Sequence, residues 1–160
     1  MKKKSLFSVI LFISFFSIFS EPVKVEFDGG VAYIPQVNGQ DNLNSVTIEY
    51  DNGDVFFGRG TEDGYPVKGT LWNEKTKIRY EGSFEKDLFV GNGVLDTPSF
   101  HYEGEFKDGK RNGYGQNFDK RTKKIYEGHF LNDKKDGTGK EYKENGNYFY
   151  DGSWASGLYN

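Results

Sequence analysis

The chain has no cysteine, one methionine and two histidines among its 160 residues. Without cysteine there can be no disulfide, no thiolate metal site and no cysteine-borne lipid anchor. Long helices favour Ala, Leu and Met and are weakened by glycine. Here 21 glycines, 15 phenylalanines and 11 tyrosines stand beside the single methionine. That balance predicts strands and tight turns, and the length suits one domain. No apolar run reaches the roughly 20 residues that a spanning helix needs. The nearest is a 14-residue run from Leu6 to Phe19, preceded by Lys2, Lys3 and Lys4 and followed by the small Ser20. This is the pattern of a secretory signal peptide over residues 1–20, and it predicts export to the periplasm, the cell surface or the exterior. Removal of that leader leaves 18 of the 21 basic residues against 24 acidic ones, a formal charge of −6. So acidic a chain is a poor non-specific partner for nucleic acid.

What is present is a repeat. The glycine of Tyr-x-Gly falls at Gly82, Gly104, Gly128 and Gly152, at spacings of 22, 24 and 24 residues. A Gly-x-Gly pair follows at Gly91 and Gly93, at Gly113 and Gly115, and at Gly137 and Gly139. A weaker copy, "FFGRG", places Gly58 another 24 residues upstream. So short a period marks units that bury an apolar face only by stacking on their neighbours. It has room for two strands and two turns. "KDGK" (107–110), "ENGN" (144–147) and "DNGD" (51–54) supply residues suited to hairpin turns. Each unit therefore reads as a β-hairpin, with successive hairpins paired edge to edge.

Residues two apart in a strand share a face. One face reads Tyr80, Gly82, Phe84; then Tyr102, Gly104, Phe106; then Tyr126, Gly128, Phe130; and last Tyr150, Gly152, Trp154. These rings are the expected core, with rings from neighbouring strands lying over the bare glycines. The other face carries Glu81, Glu103 and Glu127, expected to be solvated. Ile125, Leu131 and Phe149 fall on that outward face by the same alternation and form a candidate contact patch.

Residues 21–53 do not keep the period and are expected to form a strand-rich N-terminal cap containing a degraded repeat, ahead of the array at 54–160. The array stops half-way through its last unit, at "YDGSWASGLYN", which predicts an open C-terminal edge for a partner or a second copy.

The units "YEGSF", "YEGEF", "YEGHF" and "YDGSW" resemble MORN repeats. The resemblance implies an elongated, twisted antiparallel sheet of tandem hairpins. It also implies a scaffold or membrane-associated organiser, with phospholipid binding proposed for some members. It gives the twelve ring and glycine positions above a structural role.

No chemistry emerges. His101 and His129 stand on corresponding strands of different repeats, with no His-x-x-x-His spacing. "GTGK" (137–140) fails as a phosphate loop because Lys134 replaces the first glycine and Glu141 follows the lysine. "NDKKDG" (132–137) fails as a calcium loop because Lys134 takes a ligand position and Lys143 the twelfth. The expectation is a non-enzymatic interaction protein without cofactor or metal. Its partner is a protein, bound through a repeat surface or an open edge; the alternative is a peripheral phospholipid-binding protein.

Overall fold

The computed structural model describes residues 19–160. The expected leader falls almost entirely outside the described residues.

The chain forms one antiparallel sheet of 14 strands. The first four are β1 (Phe19–Phe27), β2 (Gly30–Val37), β3 (Gln40–Asp41) and β4 (Val46–Tyr50), with a 3-10 turn at Leu43–Ser45 before β4. The hairpin ladder continues through β5 (Asp54–Gly60), β6 (Pro66–Asn73), β7 (Ile78–Glu85), β8 (Leu88–Asp96) and β9 (Phe100–Lys107). It ends with β10 (Lys110–Asp119), β11 (Lys124–Leu131), β12 (Lys134–Lys143), β13 (Tyr148–Ala155) and β14 (Leu158–Tyr159). Spatial order follows chain order, except that β3 pairs with the far end of β2 and lies off the main path.

Turn chemistry explains the meander. The two turn residues are left-handed at Lys86–Asp87, Asp108–Gly109 and Asn132–Asp133. Left-handed pairs match the natural twist of the strands they join. Each later turn is tied to the repeat before it. Gly109 donates its N–H to the Phe89 carbonyl at 3.0 Å, Asp133 to Arg111 at 3.0 Å, and Gly157 to Lys135 at 2.8 Å.

The core is a single line of rings on one face. Phe56, Phe84, Tyr80, Phe106, Tyr102, Phe130, Tyr126 and Trp154 follow one another in edge-to-face contacts at 5.1–5.2 Å. That arrangement suits the ring quadrupoles. Tyr80 and Tyr102 are fully buried. Towards the N-terminus the rings give way to Ala32, Ile34, Val46 and Ile48, all buried. Thus residues 21–53 extend the same sheet rather than covering its end.

Three sequence expectations need correction. The ring over each motif glycine comes from its own strand: a Cβ on Gly82 would lie 2.3 Å from Tyr80 Oη. The same ring also covers Gly93 on the next strand, because the phenol leans along β7 and donates to the Ser83 carbonyl at 3.1 Å. At the C-terminus, β14 pairs Tyr159 with Trp154 and Leu158 with Ala155, so the end of β13 is covered and its first half has no outer ladder partner among the described residues. The third is Phe149, whose ring leaves the outward face.

Candidate functional site

Along the sheet, Gly58 pairs with Gly69, Gly69 with Gly82, Gly82 with Gly93, and Gly93 with Gly104. The row continues through Gly115, Gly128 and Gly139 to Gly152. The Phe56 ring and then the motif tyrosine rings fill the space above this row on the core face. On the opposite face the bare backbone is the floor of a trough of about 830 Å³.

One wall of the trough is a cross-strand row set by the register: Phe57, Thr70, Glu81, Val94, Glu103, Gln116 and Glu127. Lys68, Glu105 and Tyr114 stand on the other side of the glycines. Four carboxylates thus face one groove that contains a single lysine, together with the exposed rings of Phe57 and Tyr114. Arg79 holds Glu81 at 2.8 Å. Tyr114 crosses the groove: its N–H donates to Glu105 Oε1 and its hydroxyl to Glu127 Oε1, both at 2.8 Å. The bond to Glu127 pushes the Tyr114 phenol above its ordinary value. Beyond Tyr114 the trough continues as a smaller hollow of about 270 Å³ beside Thr138, Lys140 and Asp151.

The core face has a different chemistry. Each motif tyrosine takes a ring or a cation as partner from the next strand or the chain end. Phe89 stacks on Tyr80 at 3.8 Å, Arg111 lies 5.6 Å from the Tyr102 ring, Lys135 4.7 Å from Tyr126, and Tyr159 4.7 Å from Tyr150. The cations are paired with carboxylates in place. Arg111 Nε meets Asp133 at 3.2 Å. Glu141 is 4 % exposed and accepts from Lys124 at 2.6 Å, Tyr159 at 2.9 Å and Lys135. Burial alone would raise the Glu141 carboxyl, but these three donors outweigh it and hold it below the usual carboxylate range.

Of the motif positions, Tyr80, Phe84, Tyr102, Phe106, Tyr126, Phe130 and Trp154 are buried, Tyr150 packs against them, and Gly82, Gly104, Gly128 and Gly152 lie in the glycine row. The candidate patch does not assemble. A register break between Glu141 and Tyr142 makes Phe149 the extra residue of β13. Its ring meets Lys124 Nζ at 4.3 Å, beside the Glu141 cluster on the core side. Tyr148 takes its place outside, 6.0 Å from Tyr142. Ile125 is half-buried between its register partners Phe118 and Tyr142, while exposed Leu131 lies at the other end of β11. The trough and the Glu141 cluster were not legible as sites. Alternation placed Glu81, Glu103 and Glu127 on one face, but cross-strand register was needed to bring them into one groove.

His101 pairs with Asp96 at 3.4 Å and His129 with Thr138. No group of three or more His, Asp or Glu suited to a metal occurs among the described residues. No helix among them is long and apolar enough to cross a membrane.

No curated protein matches the chain. The MORN repeat family model matches residues 80–100, 102–116 and 126–148. Such repeats generally take part in protein or membrane-lipid interactions, and the family is a non-catalytic one. Each matched segment begins two residues into β7, β9 or β11, and residues 80–148 of this chain contain three MORN repeats.

Proposed function

We propose that this is an exported, non-enzymatic interaction protein whose trough receives an extended basic segment of a partner protein. The trough itself carries the reading: Glu81, Glu103, Glu105 and Glu127 line it against the single Lys68. A glycine floor admits close approach of another backbone. Complementary charge favours encounter with Lys- or Arg-bearing partners and disfavours acidic ones. The same charge argues against anionic lipid as the occupant, since such surfaces attract clusters of Lys and Arg.

The test is a crosslinking pull-down from intact cells with the tagged wild-type chain and with Glu103→Lys combined with Glu127→Lys. Circular dichroism confirms that the variant folds. The proposal expects one protein recovered with wild type and lost with the variant. Equal recovery with both would remove the trough as the contact. Capture of lipid without protein would favour the membrane reading.

A further inference from the structure

The sheet has two ends, and the N-terminal one is formed by the long strand β1. Strand β1 pairs only with β2, and its other edge has no ladder partner among the described residues. Exposed edges of this length usually carry a device that blocks pairing with other chains. Here Pro22 stands at the start, outside the regular stretch Val23–Phe27.

The turn between β1 and β2 has two residues, Asp28 and Gly29, and closes on Phe27 and Gly30. Residues flanking such a turn exchange backbone bonds, and bonded and unbonded pairs alternate along the ladder. Val25 therefore turns its N–H and C=O towards β2, while Lys24 and Glu26 turn theirs to the open edge. On the faces, Val25 and Phe27 pack against the core, and Val23 beside them is 36 % exposed. Lys24 and Glu26 project from the other face and form an ion pair within the strand.

From this we infer that β1 pairs with β1 of a second copy of this chain, antiparallel, about a twofold axis through Val25. That register alone sets Lys24 opposite Glu26 of the second copy, twice by symmetry. The outward backbone groups of those residues meet, so both peptide bonding and charge are satisfied. Val23 faces Phe27 of the second copy on the core side, and the apolar face runs unbroken from one sheet into the other. An interface of this kind is self-complementary, as twofold symmetry demands. It leaves the trough free on each copy and does not depend on what the trough binds.

Charge is the discriminating probe, because Lys24 and Glu26 are exposed. Sedimentation equilibrium of the purified protein, from micromolar to hundreds of micromolar, expects a monomer–dimer equilibrium for wild type. Lys24→Glu alone and Glu26→Lys alone each place like charges opposite one another, and each should raise the dissociation constant at least ten-fold. The combined exchange, Lys24→Glu with Glu26→Lys, should restore the dimer. Val25→Cys supplies a geometric check in a chain with no other cysteine. Unbonded antiparallel partners lie about 4.5 Å apart at Cα, within disulfide range. A covalent dimer on a non-reducing gel is expected. A wild-type monomer throughout the range, or a dimer that both single reversals leave unchanged, would overturn the inference.

Discussion

A Cβ on Gly93 would lie 2.6 Å from the hydroxyl oxygen of Tyr80 on the neighbouring strand. The phenol is not free to withdraw, since it donates to the Ser83 carbonyl and stacks on Phe89. The recurrent glycine is therefore the space into which the recurrent tyrosine fits.

Gly93→Ala should thus destabilise by about 1–3 kcal/mol, the usual cost of forcing a methyl group into a packed core. Gly115→Ala and Gly139→Ala should behave alike, because a Cβ there would lie 2.4 Å from the hydroxyl oxygen of Tyr102 and of Tyr126 respectively. Urea denaturation followed by tryptophan fluorescence measures this. An unchanged midpoint in all three variants would show that the rings can move aside.

Tyr102 is fully buried, with Phe106 and Phe130 at 5.1 Å on its two sides and its hydroxyl on the Glu105 carbonyl at 3.0 Å. Tyr102→Phe should cost about 1 kcal/mol through the lost hydrogen bond. Tyr102→Ala should cost about 3–5 kcal/mol through the cavity. Repeat arrays transmit such losses to nearest neighbours. Hydrogen exchange should therefore rise most in β9–β11 and least in β2 and β4.

Glu141 gives the sheet an acid-sensitive point. Its carboxyl is held below the usual range in the folded chain, by Lys124, Lys135 and Tyr159 against the opposing effect of burial. A lowered carboxyl contributes stability above its unfolded value, about 4.3, and loses it as pH falls through the folded value. Glu141→Gln should therefore be less stable than wild type at pH 7, and the gap should close below about pH 4. Thermal melts of both proteins across that range decide the point. A gap that stays constant would mean the carboxylate charge contributes nothing.

Much of this fold was legible in the sequence because its period is strict. The spacing of Gly82, Gly104, Gly128 and Gly152 predicted the hairpins, and alternation about each glycine predicted the ring face. What failed depended on register. Phe149 follows the alternation of its strand on paper, yet one extra residue opposite Tyr142 turns its ring towards Lys124. The short strand β14 was missed because Ser156 and Gly157, which turn the chain back, precede only Leu158 and Tyr159. The trough was invisible for the same kind of reason. Glu81, Glu103 and Glu127 lie on three different strands, separated by Val94 and Gln116 only after pairing.

The most direct test of the trough as a recognition surface is photocrosslinking in the living cell from single positions. A photoreactive residue in place of Gln116, within the trough, is compared with one in place of Lys110, at the hairpin ends. The account predicts a discrete protein adduct from position 116 and none from position 110. Adducts from position 110 alone, or equal adducts from both, would contradict it.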